Sequence, residues 1–397
     1  MRNIVIVDGV RTAIGKMGGA LKDIEVDTLS ETVMKELLNR TGVEGSEIEE
    51  VVWGHAKQSA DHPNLARLAA LKADIPIEVP GYTVHRQCAS GLQAIINAAQ
   101  EIMCGSAEIV LAGGAESMST APYYLRGARY GYGAGNAELV DSNTESQPRS
   151  QPINTYGHLT MGMTAENLAE KYQISRVEQD EFAYSSQEKA AAAISNGIFQ
   201  SEIVPVEIKN RKETFQFAID EHPRLTSVSK LTQLNPVFKK GGTVTAGNSS
   251  GRNDGASALL MMSEDEAIRR GLQPRFRLAS YASAGVSPEI MGIGPVPSTI
   301  KALKKAGLTL NDIDLIELNE AFAAQALAVM KELKIDSSKL NVNGGAIALG
   351  HPIGGTGAIL MTKLIKEMER RGSRYGLVTL CIGGGQGLTA IVENMRV

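Results

Sequence analysis

Short apolar runs rich in β-branched residues punctuate this chain: Ile4 to Val7, Glu50 to Trp53, Ile109 to Ala112, Leu315 to Leu318 and Gly376 to Leu380. Between them apolar positions recur at helical spacing, as in Leu29 to Asn39, Leu92 to Met103 and Thr299 to Lys305. Strands alternating with helices predict βαβ units and a largely parallel sheet covered by helices.

The pattern also repeats. MKELLNRTGVEGSEIEEVVWGHA from Met34 lies on TIKALKKAGLTLNDIDLIELNEA from Thr299, with Gly42 over Gly307, Ile48 over Ile313 and Val51 over Ile316, an offset of 265 residues. Further on, AEIVLAGGAE around Leu111 and GLVTLCIGGGQG around Leu380 each run an apolar strand into a Gly-rich turn, 269 residues apart. Two copies of one βα fold are the economical reading. Between the copies, residues 120–245 turn Gly-rich, Tyr-rich and polar and carry a helical stretch, Arg176 to Ser195, that reads as amphipathic. A long insertion over the core is expected there, of the kind that forms lids or binding loops.

Composition narrows the class. The chain has 397 residues, 43% hydrophobic and 21% charged, the balance of an ordinary globular protein. Forty Lys and Arg against 44 Asp and Glu give a net charge of −4, with no basic cluster to bind nucleic acid. The apolar run near the N-terminus closes at Asp8, too short for a signal-peptide core or a membrane span of about 20 residues, so a cytoplasmic protein without membrane partners is expected. Three cysteines, Cys88, Cys104 and Cys381, with no CxxC pair, support neither a disulfide framework nor a metal site.

Each cysteine has its own setting. In TVHRQCASGLQAI an extended run gives way to a helix, which places Cys88 at a helix N-terminus whose partial positive charge favours a thiolate. A small buried hydrophobe is the alternative. Cys104 sits in a helical stretch before a turn and reads as a packing residue. Cys381 ends a strand and enters Gly383–Gly385, whose backbone N–H groups suit an oxyanion. His351 stands in the Gly-dense segment NVNGGAIALGHPIGGTGA, where no core packing is expected around it and a ligand could approach closely. Asn319 to Phe322 follow the strand Asp314 to Leu318, at the carboxyl end where open α/β sheets bind ligands, or they merely cap the next helix. A relaxed dinucleotide pattern from Gly385 to Ala390 lies too near the C-terminus to have its βαβ unit, and there is no P-loop, HExxH or GxSxG.

Together, CASG around Cys88, NEAFAAQ from Asn319, NGGAIALGHPIGGTGA from Asn343 and LCIGGGQG from Leu380 resemble the thiolase family over the full chain. The resemblance implies an α/β/α/β/α sandwich of two βαβαβαββ halves: residues 1–119 with 246–271, an inserted loop domain at 120–245 that binds coenzyme A, and residues 272–397. It implies an acyltransferase of fatty acid metabolism acting on acyl-CoA, with CoA as co-substrate and no other cofactor, assembled as a homodimer or homotetramer. By motif position Cys88 is the nucleophile, His351 its base, Cys381 the acid/base at the α-carbon, Asn319 the holder of a water in one oxyanion hole, and the N–H groups of Cys88 and Gly383 a second hole. Arg224 in HPRLTS resembles a residue facing the CoA nucleotide, Ser250 and Met161 resemble contacts to pantetheine and acyl chain, and Phe322 closes the acyl pocket.

One departure affects specificity. Short-chain members carry His before the Met-Gly of their loop, where this chain has Thr160, with His158 two residues earlier. Either His158 reaches back or the pocket is wider. Among competing classes, a ketoacyl-carrier-protein synthase would lack the thiol at Cys381, a non-catalytic relative would have lost one of the three residues, and a cysteine hydrolase leaves Cys381 unexplained.

Overall fold

The computed structural model describes residues 2–209 and 213–397; Met1 and residues 210–212, which fall in the expected first half and insertion, lie outside the described residues. The first half runs β1 (Ile4–Thr12), α1 (Val26–Thr41), β2 (Glu50–Gly54), α2 (Leu65–Lys72), β3 (Gly81–Val84), α3 (Ser90–Cys104) and β4 (Ile109–Ser117). A long excursion carrying α4 (Met161–Lys171) and α5 (Arg176–Ser195) then returns to β5 (Asn253–Ser263). The second half follows as β6 (Phe276–Gly285), α6 (Pro295–Ala306), β7 (Leu315–Leu318), α7 (Ala323–Leu333), α8 (Thr356–Arg371), β8 (Tyr375–Ile382) and β9 (Gln386–Asn394).

The repeat read from the sequence is a repeat of structure. Both α1 and α6 end on a left-handed glycine, Gly42 at φ 67° and Gly307 at φ 69°, the backbone that a glycine C-cap supplies without a Cβ clash. Each is followed by a 3₁₀ turn closed by a reciprocal capping box, Glu44 with Glu47 and Thr309 with Asp312, before β2 and β7 begin. In the sheet, β1-β5-β4-β2-β3 on one side matches β6-β9-β8-β7 on the other, and the missing fifth position is marked by the single bridge between Ile316 and Leu340. Within the sheet, the described residues of the two halves pair at Val5 with Arg277 and Ile6 with Phe276.

The sheet is mixed, not largely parallel. Parallel pairing holds for β2–β3, β2–β4 and β7–β8, but β5 and β9 return antiparallel and insert beside β1 and β6. In the second half that return is the three-residue turn Gly383–Gly385, while in the first half residues 118–252 open the same hairpin.

The three largest apolar clusters fill the spaces between the layers. α1 and α2 cover the outer face of the first half, α6 and α7 that of the second, and α3 and α8 fill the space between. α8 buries nearly its whole circumference from Thr356 to Met368, as a helix between two sheets must. α3 and α8 meet at glycines: a Cβ at Gly91 would lie 2.9 Å from the Ala358 nitrogen, and one at Gly357 would lie 2.3 Å from the Leu92 nitrogen.

Two sequence expectations fail locally. α5 is not amphipathic in the apolar sense, because its buried face consists of Gln179, Asp180, Ala183, Ser186, Gln187, Ala190 and Ala193, which dock through hydrogen bonds and close approach. Cys104 is exposed rather than packed, because it is the last residue of α3, where the helix leaves the core. No helix among the described residues is long and apolar enough to cross a membrane.

The helix contact gives a direct test. Gly357→Ala puts a methyl group against backbone that cannot yield, so it should cost about 1–3 kcal/mol of stability. Denaturant unfolding measures this, and an unchanged midpoint would refute the contact.

Candidate active site

The turn that presents Cys88 is built by its neighbours. β3 leads into Gln87, which holds φ at 46°, an uncommon value for a residue with a side chain. The Ser90 hydroxyl donates to the Gln87 carbonyl at 2.7 Å and accepts from the Arg86 N–H at 2.9 Å, locking the turn from Gln87 to Ala89 ahead of α3. Cys88 is therefore two residues before the helix, on the wall of a cavity of about 200 Å³. The thiolate expected from the helix terminus is not the resting state, because burial pushes the Cys88 thiol upward, against the pull of the Gly383 and Cys88 N–H groups and of Lys57.

His351 reaches the same cavity from the equivalent end of α8. Contrary to the sequence expectation it is well packed, 7% exposed, because the glycines around it admit neighbouring loops instead of solvent. Its backbone N–H donates to Asn253 Oδ1 at 2.9 Å, and a Cβ on the preceding Gly350 would collide with that same Asn253 side chain. The ring is fixed by Thr356. The Thr356 hydroxyl donates to the Pro352 carbonyl at 2.8 Å and so accepts from His351 Nδ1, at 2.7 Å. That assigns the proton to Nδ1 and leaves Nε2 as a lone pair, buried and without a partner among the described residues. Burial lowers the His351 pKa from 6.5 to about 4, outweighing Glu116, so the imidazole is a neutral base at neutral pH.

Cys381 and Asn319 are fully buried and are not among the residues that line this cavity. Cys381, next to last on β8, is fully buried beside Phe322, Met291 and Ala321, and its thiol is pushed strongly upward first by burial and then by Cys88. Asn319 is 0% exposed and neither Oδ1 nor Nδ2 has a partner among the described residues. Capping does not explain this segment, since α7 is capped by neither Asn319 nor Glu320. Glu320 instead accepts from Ser186 on α5, from Asn341 and from the Ile347 N–H, tying the insertion to the second half.

The cavity has two unlike flanks. Met161, Phe238, Met291 and Phe322 form an apolar side, with Phe238 and Phe322 edge to face at 6.1 Å. Lys57, Gln87, Asn143, Ser146, Gln147 and Ser150 form a polar one. Ser250 lines it too, pinned by its N–H to the Ala321 carbonyl, and Gly383 closes it near Cys88. Arg224 is exposed and lines a separate depression with Lys16, His222 and Arg252, the last shared with the main cavity. His158 is not brought in: it is exposed, while Thr160 caps α4 through the Met163 N–H.

Sequence reasoning missed the groups that hold the loops together. Glu116, fully buried at the end of β4, accepts from His55 Nε2 and from the N–H groups of Ala56, Lys57 and Gly354, joining the first half to the approach of α8. Burial is the largest influence on this carboxyl, yet His55 and the other donors hold it below its ordinary range. His55 is thus a hydrogen-bond partner of Glu116, and no cluster able to hold a metal exists among the described residues. A lone Glu after an apolar strand gave no signal of this, because its partners are distant in sequence.

Known proteins can be set beside this geometry. Residues 4–265 match the thiolase N-terminal domain and residues 272–394 the thiolase C-terminal domain. An acetyl-CoA acetyltransferase of Pseudomonas aeruginosa is 50% identical over 98% of both chains, and the beta-ketothiolase BktB of Cupriavidus necator is 50% identical over 99% of this chain and 100% of that protein. Among solved structures, the acetyl-CoA acetyltransferase of Bacillus anthracis superposes with a TM-score of 0.97 at 49% identity, covering 100% of this chain and 99% of that one. Human mitochondrial 3-ketoacyl-CoA thiolase in complex with CoA gives 0.94 at 46% identity, covering 99% and 98%.

The depressed His351 pKa has a measurable consequence. Between pH 6.5 and about 4 the unfolded chain takes up a proton that the folded chain refuses, so this group costs stability as pH falls through that window. The wild type should therefore lose stability relative to His351→Gln on acidification. A difference between the two unfolding free energies that does not change with pH would overturn the assignment.

Proposed function

Because this chain belongs to the thiolase family, we propose that it catalyses the reversible CoA-dependent cleavage of 3-ketoacyl-CoA esters, and the reverse condensation, through an acyl group carried on Cys88 as nucleophile with His351 as its base. The observation that carries the residue roles is the unpartnered Nε2 of His351 in the same cavity as Cys88, with the second buried thiol, Cys381, close enough to be influenced by the first.

In cleavage, His351 Nε2 takes the Cys88 proton and the sulfur attacks the 3-keto carbon. The bond between C2 and C3 breaks, leaving the acyl group on Cys88 and an acetyl-CoA enolate that takes the Cys381 proton. The imidazolium proton passes back to the Cys381 thiolate; His351 Nε2 then takes the proton of a free CoA thiol as it attacks the acyl-Cys88 carbonyl and gives it to the departing Cys88 sulfur. Condensation reverses each step, with Cys381 as the base. Its upward-shifted thiol suits both directions: it stays protonated at rest, and its thiolate is strongly basic.

Negative charge on oxygen needs two sites. Asn319, whose amide has no protein partner, would hold a water that with His351 Nε2 receives the enolate oxygen, and the N–H groups of Cys88 and Gly383 would receive the tetrahedral oxyanion. Every transfer is assigned to a side chain, so CoA enters only as co-substrate.

Ser250 and Met161 are assigned to pantetheine and the acyl chain, and Arg224 with Arg252 to the phosphate-bearing end, which would cross from the main cavity into the adjoining depression. With His158 exposed, the acyl wall lacks that ring and is wider there, but Met161 and Phe322 still supply bulky walls, which favours short chains with tolerance of longer ones. Apolar residues exposed on the insertion, Tyr123, Leu125, Tyr130 and Leu139, favour a homodimeric or homotetrameric cytoplasmic assembly.

Incubation with acetyl-CoA should leave a labile acetyl group on the Cys88 peptide, read by mass spectrometry; acetylation of Cys381 alone would reverse the roles. Cys381→Ser should spare acyl exchange between Cys88 and CoA while reducing carbon–carbon cleavage by about 10²-fold or more, and equal losses would refute the division. For chain length, acetoacetyl-CoA should match six- and eight-carbon 3-ketoacyl-CoAs in kcat/KM to within about tenfold, or ~1.4 kcal/mol. A wild type more than tenfold better on the longer esters would overturn the short-chain preference.

A further inference from the structure

Among the described residues the buried Arg and Lys side chains are paired, with one exception beside Cys88. Arg11 meets Glu202 and Asp220, each at 2.7 Å, and Lys363 meets Glu317 at 2.9 Å. Lys57, 8% exposed, instead donates to the Ser142 carbonyl at 3.2 Å and to Ser146 Oγ, and makes no ion pair among the described residues. An ammonium group has three N–H donors, so one is left over on a side chain that lines the cavity with Cys88. An unpaired buried charge is costly unless an anion arrives to match it.

The charged surroundings identify that anion. Glu116 faces Lys57 but spends its oxygens on His55 and three backbone N–H groups. Asp141 faces Arg252, at 3.6 Å, and caps its own helical turn through Asn143. His351 is neutral and Cys381 is held as a thiol. Of the groups that interact with Lys57, Cys88 is the one that gains negative charge during the proposed reaction, and the interaction is mutual.

We propose that Lys57 is a positioning residue that acts through Cys88, as the resident countercharge of its thiolate. The inference rests on the reading of Cys88 as nucleophile. His351 removes the proton, which would leave a thiolate and an imidazolium in a buried space that already contains the Glu116 carboxylate. Lys57 offsets the added negative charge and makes the ionised nucleophile accessible near neutral pH. Its hydrogen bonds to Ser142 and Ser146 fix where that charge sits.

The test is the pH dependence of iodoacetamide alkylation at the Cys88 peptide in the full-length enzyme, compared with Lys57→Gln, Lys57→Met and Lys57→Arg. Gln keeps neutral donors for Ser142 and Ser146, Met removes both donors and charge, and Arg keeps the charge. Gln and Met should each raise the alkylation midpoint by about one pH unit, slowing alkylation near neutral pH roughly tenfold, while Arg stays close to wild type. A Gln variant with the wild-type midpoint would overturn the proposal and leave Lys57 as a tether for the 142–150 segment, as would an Arg variant that shifts as far as Met. Failure of acetyl-CoA to label Cys88 in the wild type, with the midpoint still responding to Lys57, would refute the nucleophile reading and not this coupling.

Discussion

The close approach of α3 and α8 is the constraint on which the site depends. Glycine is needed on both sides of it: Gly91 and Gly357 at the crossing, Gly54 against the Gly91 nitrogen, and Gly114 against the Gly354 carbonyl. Any side chain there would force the two helix starts apart. Cys88 is presented just before α3 and His351 shortly before α8, so glycines hold the proposed nucleophile and its proposed base to one cavity. Glu116 then holds the contact by binding backbone on both sides of it.

Duplication explains why one scaffold supplies two kinds of group. The stretch leading into the central helix gives a thiol two residues before α3 in one half and an imidazole five residues before α8 in the other. The same hairpin stays a three-glycine turn after β8 and opens into residues 118–252 after β4. The closed turn brings the Gly383 N–H to Cys88, and the opened one brings Met161, Phe238 and the polar flank over the cavity. Both the reaction centre and its roof are thus variations on one βα unit.

Burial divides the polar groups of this protein by role. Where a charge serves the fold it is matched within the protein, as in Arg11 with Glu202 and Asp220, or Lys363 with Glu317. On the cavity wall polar atoms are left incomplete at His351 Nε2 and at the Lys57 ammonium, and both ends of the buried Asn319 amide are likewise unmatched among the described residues. An unmatched buried group destabilises the empty protein, and a substrate, water or reaction-generated charge relieves that cost.

Much of this was legible in the sequence, because the information was local. The strands, the helices, the 265-residue repeat and the left-handed glycines Gly42 and Gly307 follow from spacing and backbone preference along a few consecutive residues. Cys88, His351, Cys381 and Asn319 stood out because each sits at a junction of strand, turn and helix. What tertiary structure decided was environment. It buried His351 and fixed its tautomer through Thr356, reversed the expected ionisation of Cys88, turned His158 outward, and exposed Cys104. It also made the sheet mixed, and set Glu116 and Lys57 beside the nucleophile. Those outcomes depend on desolvation and on partners far apart in the chain, quantities that have no value until the chain has packed.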